Sequence, residues 1–238
     1  MKDELHYHKL FAISGVRGSG KDTTASMLQY CLSVPKIFRQ YWLYKLFRKL
    51  IIPKYKIIAF ASPLKEMLSV LLNIPVKRFN DRDFKENYAI NLSTLDVFKI
   101  DEHPNCYVLS DSKFNKLLKT ETLENYNITI RQLMQYFGTN VSQKYFGRRI
   151  WINSVLKRAN DNIIISDLRF IEEFNAVKDL NGTVFFINRP DYEFGQHASE
   201  KEMQSLLEDE KYDAIIRNNG TLKDLFNKVK HLLECNLC

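Results

Sequence analysis

Cysteines and long apolar runs are scarce in this 238-residue sequence, and both absences narrow the class of protein. The four cysteines lack the spacing of a disulfide framework. Cys235 and Cys238 form a C-x-x-C, but we expect no zinc site there because we find neither a second pair nor a neighbouring histidine. No apolar run approaches the roughly 20 residues of a membrane-spanning helix, and residues 1–8 are mostly polar. We therefore expect a cytoplasmic protein without a signal peptide or a membrane partner.

Acidic residues are missing from one stretch, and this local absence accounts for the net charge. The chain has 35 Lys and Arg against 28 Asp and Glu, a formal charge of +7. Between Lys36 and Lys56 there are seven basic residues and no acidic one, which leaves 28 basic against 28 acidic residues elsewhere. Because the basic character is local, it does not by itself indicate a surface that binds nucleic acid.

The same stretch is rich in aromatic residues and predicts an amphipathic helix. We assign residues 31–55 to a basic aromatic insertion, in which apolar side chains recur at helical spacing along one face. These apolar residues are Phe38, Trp42, Leu43, Leu46, Phe47 and Leu50. We expect this face to pack on the domain or to form a dimer contact. The alternative is a helix that binds a membrane surface or nucleic acid.

Glycine is also rare, with eight in the chain, and three of them lie between residues 15 and 20. Residues 14–24 are SGVRGSGKDTT, preceded by the apolar run 10–13 and followed by a helical pattern over about 21–30. Strand, glycine-rich turn and helix start are the setting of a phosphate-binding loop. Gly15 and Gly20 can adopt positive φ, so that backbone N–H groups converge on phosphate oxygens. Lys21 is then placed to reach the β- and γ-phosphates of a nucleoside triphosphate.

The residue after Lys21 departs from the usual pattern, in which a serine or threonine hydroxyl binds Mg²⁺. Here Asp22 follows, and Thr23 comes next. Either the Asp22 carboxylate holds the metal, directly or through water, or Thr23 takes this role with a shift of register. Both residues supply the hard oxygen ligand that suits Mg²⁺.

Apolar runs alternate with helical patterns along the rest of the chain. The predicted strands are residues 56–61, 162–167, 182–187 and 213–216. The predicted helices are residues 62–72, 129–137, 151–159, 172–180 and 222–233. This alternation predicts an α/β fold, a parallel sheet flanked by helices on both faces. We expect a single domain over 1–238, with an irregular insertion at 73–128 and a lid-like segment at 189–211.

Asp167 ends one predicted strand and is a further candidate metal ligand. In open α/β sheets ligands bind at the carboxyl edge of the strands, so Asp167 could reach Mg²⁺ or its waters beside the loop. Arg169 is placed for phosphate. The alternative is that Asp167 only caps the end of the strand. Lys65, in the first turn of a predicted helix, is either placed to meet an anion or simply exposed.

Several segments occur in the order found in one known family. These are 14–25, 61–65, 131–139 with Trp151, Asp167 with Arg169, 189–190, 197–200 and 216–222. They resemble the deoxynucleoside monophosphate kinases of large DNA phages and viruses, and the resemblance covers nearly the whole chain. Gly-Lys-Asp-Thr in place of Gly-Lys-Ser/Thr is its most discriminating part. Phosphomevalonate kinases of the animal type are distantly similar in the same places.

The resemblance implies a P-loop kinase that transfers the γ-phosphate of ATP, with Mg²⁺, to a deoxynucleoside 5′-monophosphate for dNTP and dTTP synthesis. It implies dTMP as the favoured acceptor, dGMP as a second one, and a homodimer. The candidate catalytic residues are Lys21, Arg17, Asp167 and Arg169. The candidates for binding ATP are Gly15, Val16, Arg17, Gly18, Ser19, Gly20, Lys21, Asp22, Thr23, Thr24, Arg189, Asn218, Asn219 and Gly220. The candidates for binding the acceptor are Lys65, Phe84, Arg131, Gln135, Arg148, Arg149, Trp151, Asp167 and Arg169.

An acceptor phosphate is already anionic at neutral pH, so the reaction requires alignment and charge neutralisation and no strong general base. Arginines suit the acceptor phosphate, Arg189 is a candidate lid cation, and Trp151 or Phe84 would stack on the acceptor base unless they belong to the core. We expect no nucleic-acid partner. Two alternatives stay open: a P-loop kinase for another phosphorylated metabolite, such as phosphomevalonate, and a nucleotide-dependent nucleic-acid-binding protein that uses the basic stretch.

Overall fold

The computed structural model describes residues 10–91, 127–147, 149–157, 162–190, 194 and 198–236. The strands are β1 (Leu10–Ser14), β2 (Lys56–Ile58), β3 (Ala89–Asn91), β4 (Asn127–Thr129), β5 (Ile163–Leu168), β6 (Thr183–Asn188) and β7 (Ala214–Arg217). The α-helices are α1 (Lys21–Ser33), α2 (Tyr41–Phe47), α3 (Ser62–Leu72), α4 (Arg82–Asn87), α5 (Ile130–Gln135), α6 (Ser142–Phe146), α7 (Ile150–Leu156), α8 (Ile171–Asp179), α9 (Ala198–Glu208) and α10 (Leu222–Asn236). Two 3₁₀ turns, Lys36–Phe38 and Val76–Asn80, and a π-helical turn, Tyr136–Val141, complete them.

The chain divides into two compact units, residues 1–60 with 152–238 and residues 61–151. The first unit is built on a five-stranded sheet with the order β2-β5-β1-β6-β7. All its neighbouring strands run parallel, with β1 in the centre between β5 and β6. The carboxyl ends of parallel strands meet at one edge, so the segments that follow β1, β5, β6 and β7 are brought together there.

Both faces of this sheet are covered, because side chains alternate along a strand. Phe11 and Ile13 of β1 belong to one core, with residues of α1 and α10. Leu10 and Ala12 belong to the other, with residues of α7 and α8. The strand is therefore a continuous apolar run, as is typical of a strand buried on both sides. The expected α/β fold, a parallel sheet flanked by helices on both faces, is confirmed.

Strand β2 differs from the prediction of a buried strand over residues 56–61. It covers Lys56–Ile58 alone, and Lys56 and Ile57 are exposed. The reason is its position at the edge of the sheet, where β5 is its neighbour on one side. The apolar run alone does not distinguish an edge strand from a central one.

The basic aromatic stretch also differs from its prediction. It forms a 3₁₀ turn and the short helix α2, and α1 extends to Ser33, inside the predicted insertion. The face expected to pack is exposed at Trp42 and Leu46, whereas Tyr44 is buried. The ring of Tyr44 lies 5.5 Å from that of Tyr30 and 5.4 Å from that of Phe226. Of the predicted face, Leu43 is half-buried against this core, but Tyr41 and Tyr44, which the aliphatic pattern did not indicate, pack there as well.

The second unit, residues 61–151, has its own core between α3, α4, α5 and the antiparallel pair β3–β4. Helix α3 has the predicted bounds. The segment expected to be irregular is ordered in its first part, where Val76–Asn91 forms a 3₁₀ turn, α4 and β3. Asp81 begins α4 by accepting a hydrogen bond from the Phe84 N–H at 3.3 Å. Residues 92–126 lie outside the described part.

Thr129 caps α5, as predicted, in a capping box with Gln132. The helical path then continues through the π-helical turn across Gly138, which is a tolerated interruption and not an end. Helices α7, α8 and α10 agree with the predicted ones to within a few residues. In the parts of the chain that the structure describes, no helix has both the length and the apolar content needed to cross a bilayer.

Candidate nucleotide site at the carboxyl edge of the sheet

The predicted phosphate-binding loop joins the central strand β1 to helix α1. Gly15, Gly18 and Gly20 have φ of 145°, 83° and 103°, a region that side chains rarely adopt. A Cβ on Gly15 would lie 2.6 Å from the Ile187 carbonyl oxygen, and one on Gly20 would lie 2.7 Å from Nδ2 of Asn218. All three positions therefore favour glycine for backbone conformation, and Gly15 also requires it for space, because the atom it approaches belongs to the backbone of β6.

Lys21 is buried at the start of α1 and folds back into this loop. Its Nζ donates to the carbonyl oxygens of Gly15 at 2.6 Å and Val16 at 2.8 Å. Burial and, to a smaller extent, the charge of Arg169 lower the pKa of Lys21 to about 8. Three carboxylates act in the opposite direction on this pKa: Asp22, Asp167 and Glu200. The sheet edge thus collects charges of both signs around one ammonium group.

Ser19 supplies a test of whether the loop fits an anion. Its hydroxyl oxygen is buried and, among the described residues, has no hydrogen-bond partner. A buried polar group without a partner is costly, and a phosphate oxygen would satisfy it. Together with the N-terminus of α1, this hydroxyl makes the loop suited to a phosphate chain.

The candidate Mg²⁺ ligands lie close to Lys21. Asp22 is exposed on the first turn of α1, and Thr23 is half-buried beside it. The Thr24 hydroxyl is buried and donates to the Gly20 carbonyl oxygen at 3.0 Å. Asp167 lies near the end of β5 and accepts from the Phe60 N–H at 2.7 Å. The oxygen atoms of Asp22, Thr23 and Asp167 fit Mg²⁺ as ligands, because Mg²⁺ takes one or two carboxylates and keeps several waters.

Arg169 follows β5 in a turn that two further carboxylates hold. Oε2 of Glu173 accepts from the N–H groups of Arg169 at 2.7 Å and Phe170 at 3.1 Å. Oε2 of Glu202 accepts from the Ile171 N–H at 2.8 Å. Burial and, to a smaller extent, the charge of Asp167 raise the pKa of Glu173 to about 8. Glu173 was not among the predicted site residues, although an acidic residue at this position of a helix is a known capping signal.

The two other segments at this edge also contact the loop. Arg189, after β6, places Nη1 3.4 Å from the Gly18 carbonyl oxygen. Asn218, after β7, donates from Nδ2 to the Ser19 carbonyl oxygen at 2.8 Å. Lys228 of α10 donates to Oδ1 of Asn219 at 2.8 Å and so holds the turn that contains Asn218. Arg189 and Asn218, two residues predicted to bind ATP, therefore contact the loop.

The other acceptor candidates belong to the second unit. Nε of Arg131 forms a salt bridge with Glu86 at 2.8 Å, and Nζ of Lys65 donates to Oδ1 of Asn80 at 2.9 Å. Gln135 and Arg149 are exposed, and Arg148 lies outside the described residues.

The two candidate stacking residues of this unit have structural contacts. Phe84 is buried, with the Tyr88 ring stacked 4.6 Å away and the Arg78 guanidinium 4.4 Å from its ring centre. Nε1 of Trp151 donates to the Gly138 carbonyl oxygen at 3.0 Å, and its ring packs against the core. Of the two stacked rings, Phe84 is buried and Tyr88 is exposed. Tyr88 was not among the predicted acceptor-binding residues.

The C-terminal helix overturns the expectation that Cys235 has no neighbouring histidine. His231 lies one turn before Cys235, with Nε2 3.4 Å from Sγ, so a neighbouring histidine does exist. No group of three or more His, Cys, Asp or Glu side chains that could hold a metal occurs among the described residues.

Comparison with known proteins agrees with the geometry of the loop. The profile of the family described as deoxynucleotide monophosphate kinase matches residues 9–229. The deoxynucleotide monophosphate kinase of Enterobacteria phage T4 is 27% identical over 95% of this chain and 99% of its own length. That of Escherichia phage RB69 is 26% identical over 95% of this chain and 100% of its own length. A putative deoxynucleotide monophosphate kinase of Acanthamoeba polyphaga mimivirus is 26% identical over 52% of this chain and 72% of its own length. The chain is a member of the deoxynucleotide monophosphate kinase family.

Proposed function

We propose that the protein transfers the γ-phosphoryl group of ATP to a deoxynucleoside 5′-monophosphate in the presence of Mg²⁺, with dTMP the favoured acceptor and dGMP the second. The observation that carries this proposal is the position of Lys21, whose Nζ lies inside the loop within hydrogen-bond distance of two carbonyl oxygens. The family of the chain supports the class of reaction. Supply of dNTPs, dTTP in particular, would be its role.

The donor side of the reaction follows from the loop. Its backbone N–H groups and the N-terminus of α1 bind the phosphate chain, and the Ser19 hydroxyl gains a partner there. On binding, Lys21 exchanges its two carbonyl partners for phosphate oxygens. The adenine would lie against the turn of Asn218, Asn219 and Gly220, which Asn218 connects to the loop.

Mg²⁺, when bound, neutralises charge on the phosphates and helps to orient the transferred group. Asp22, Thr23 and Asp167 would hold it. Asp167 is oriented for this role by the Phe60 N–H, which fixes one carboxylate oxygen. Because Glu173 binds the N–H groups of Arg169 and Phe170, the turn after β5 is held in place before any ligand arrives.

The chain's cations would neutralise the charge of the acceptor. Arg169 is near enough to Lys21 for its charge to lower the pKa of that lysine, which supports a role for Arg169 beside the transferred group. Arg17 and Arg189 border the same loop. In the second unit, Lys65, Arg131, Arg149, Gln135 and Trp151 are proposed acceptor-binding residues, and Phe84 would support the exposed ring of Tyr88. A homodimer is also part of the proposal and rests on the resemblance alone.

The test is coupled ADP release with MgATP and each of the four dNMPs, plus UMP and GMP. Turnover of dTMP, alone or with dGMP, is expected. Lys21→Ala should abolish most of the activity, whereas Lys201→Ala, on the exposed side of α9, serves as the matched control. ATP binding without turnover of any of these acceptors would contradict the proposal and direct attention to phosphomevalonate. Sedimentation velocity tests the homodimer.

A further inference from the structure

The first unit has an exposed apolar surface that the proposed reaction does not use. We call residues 36–52 the basic aromatic surface. Its large apolar side chains are exposed by 73% at Ile37, 60% at Trp42, 61% at Leu46, 75% at Leu50 and 90% at Ile52. Monomeric soluble proteins rarely expose a contiguous apolar patch larger than a few hundred Å². A patch above that size usually marks a site of interaction with another molecule.

The exposure follows from the way α2 is held. Tyr44 of this helix is buried against Phe226, and its hydroxyl donates to Oγ of Ser26 at 3.2 Å. Trp42 and Leu46 lie two residues before and after Tyr44, about 200° away around the helix axis. Because Tyr44 faces the core, these two side chains are directed away from it.

The segment that forms this surface contains basic residues and no acidic ones. The stretch 36–56 contains seven basic residues and no acidic one, a number equal to the net charge of the whole chain. From Lys45 to Leu50 every residue is exposed, and basic and apolar side chains are mixed along this run. A partner must therefore accept cations and apolar groups within the same small area.

This mixture distinguishes between classes of partner. A second copy of the chain would place the five basic residues of this surface against another five, and like charges in contact are unfavourable. Protein interfaces are depleted in lysine, whereas lysine and arginine beside Trp, Phe and Leu are typical of segments that lie in a membrane interface. Nucleic acid would bind the cations but offers little to the aliphatic side chains of Leu46, Leu50 and Ile52.

We propose that the basic aromatic surface binds the face of a bilayer that contains anionic phospholipids. Trp42, Leu46 and Leu50 enter the boundary between headgroups and acyl chains, and Lys45 and Lys49 bind the anionic headgroups. The contact is peripheral and reversible, and it brings the kinase to a membrane surface. The expectation of no membrane partner was based on the lack of a spanning helix, a feature that peripheral binding does not require.

Trp42 is a direct reporter of this contact. The chain has two tryptophans, and the variant Trp151→Phe leaves Trp42 alone. Its fluorescence emission is expected to shift to shorter wavelength on addition of vesicles with about 30% phosphatidylserine in phosphatidylcholine. Vesicles of phosphatidylcholine alone should give a much smaller shift. Raising the salt from about 0.1 M to about 1 M shortens the Debye length from about 10 Å to about 3 Å and should release the protein.

Two variants separate the apolar and the charged contributions in vesicle sedimentation with the full chain. Trp42→Ser with Leu46→Ser should weaken binding by about tenfold or more. Lys45→Glu with Lys49→Glu should weaken it by about twentyfold or more, since each basic residue near an anionic surface contributes a factor of about five. The matched controls are Val70→Ser, an exposed apolar residue of α3, and Lys77→Glu with Lys211→Glu, two exposed lysines elsewhere. These controls should bind as the unchanged protein does.

Several results would overturn the proposal. One is absence of binding to anionic vesicles at low salt; another is equal binding to neutral vesicles, or equal loss in the controls. Salt-sensitive binding of an oligonucleotide that displaces the vesicles would assign the surface to nucleic acid instead. A dimer in sedimentation velocity that Trp42→Ser with Leu46→Ser dissociates would assign it to a second copy. If the apolar variant fails to fold, as judged by circular dichroism, the exposed Lys45→Glu and Lys49→Glu pair carries the test.

Discussion

Lys21 is the residue on which most of the proposed chemistry depends, and its hydrogen bonds explain why. Nζ already lies in the loop, bound to Gly15 and Val16, so that it has only to exchange these two carbonyl partners for phosphate oxygens. Lys21→Ala removes a charge whose effect is largest in the transition state, as does Arg169→Ala. Each is expected to slow phosphoryl transfer by about 100-fold or more.

The measurement is kcat and kcat/KM with saturating MgATP, with circular dichroism to verify the fold. Lys201→Ala is the control, as an exposed lysine of the same unit. If either variant kept a nearly normal rate with its fold intact, that residue would have to be removed from the mechanism.

The glycines of the chain provide a matched pair at the residue scale. Gly15 and Gly147 both have positive φ, but a Cβ on Gly15 would lie 2.6 Å from the Ile187 carbonyl oxygen, while one on Gly147 would meet nothing within 4 Å. Gly147→Ala should cost only the conformational strain, about 1 kcal/mol in the free energy of unfolding. Gly15→Ala should cost distinctly more and weaken ATP binding. Urea denaturation and ATP titration of the two variants check this, and equal losses would contradict the close approach of β6.

Individual residues were predictable where a local pattern carried the signal. The glycine spacing located Lys21, and the end of an apolar run located Asp167. Glu173 was not predicted because its role is to accept hydrogen bonds from the N–H groups of Arg169 and Phe170. Those bonds depend on how the turn after β5 folds, which no local pattern specifies. Phe84 illustrates the same limit, since its burial against Tyr88 depends on how α4 packs.

Helix α2 shows how an element can be predicted while its orientation is not. Tyr44 is buried, whereas Trp42 is mostly exposed. Tyr44→Ala is therefore expected to lower the free energy of unfolding by about 3 kcal/mol, as for other large aromatic residues removed from a core. Trp42→Ala should change it by no more than about 0.5 kcal/mol. Chemical denaturation of both variants is the measurement. If Trp42→Ala lost more free energy of unfolding than Tyr44→Ala, the packed face of α2 would be the one that the apolar pattern predicted.

The turn between β5 and α8 leads to a prediction about pH. The pKa of Glu173 is raised from its ordinary value of 4.5 to about 8 in the folded protein, by burial and by the charge of Asp167. Between these values the folded protein retains a proton that the unfolded chain has released, so this group makes stability fall as pH rises. Glu173→Gln does not titrate. Its free energy of unfolding relative to the unchanged protein should therefore rise between about pH 5 and pH 8, by at most about 1.4 kcal/mol per pH unit.

Urea denaturation at three pH values across this range tests the prediction. Taking the difference between the two proteins removes the contribution of all other titrating groups. A difference that stays constant with pH would mean that Glu173 titrates alike in the folded and unfolded states.

The boundaries of most elements followed from sequence because caps and glycines mark them, as Thr129 marks α5. Their environment did not, because exposure depends on neighbours distant in the chain. Strand β2 looked buried from its apolar run and is an edge strand. The order of strands in the sheet is likewise set by which helices can cover it, and no local pattern specifies that.

At the scale of the whole molecule, binding at the loop should appear as stability of the folded chain. Ligand at 100 times its dissociation constant adds about 2.7 kcal/mol to the free energy of unfolding. For a chain of this size that corresponds to a rise of about 5 °C or more in the melting temperature. A non-hydrolysable ATP analogue with Mg²⁺ should produce this rise in the unchanged protein, and Lys21→Ala should lose most of it. A full rise in Lys21→Ala would show that the lysine does not contact the nucleotide.

The fold class was the most predictable property of the molecule. Alternating strands and helices leave few topologies for a parallel sheet, because crossover connections have a preferred hand. The division into two compact units was not predicted. It depends on residues 61–91 and 127–151 forming a core of their own. The helical patterns at 62–72 and 129–137 predicted two of its helices but not that they pack together in a separate core.

The central position of β1 has a consequence for the order in which backbone amides exchange with deuterium. Strand β1 is hydrogen-bonded to β5 on one side and β6 on the other, whereas β2 and β7 each have a single neighbour among the described strands. Edge strands can open by local fraying, but β1 is released only when the sheet as a whole comes apart. The amides of Phe11 to Ile13 should accordingly be among the slowest to exchange in the first unit. The loop that would hold the nucleotide is therefore fixed at one end to the part of the sheet that opens last.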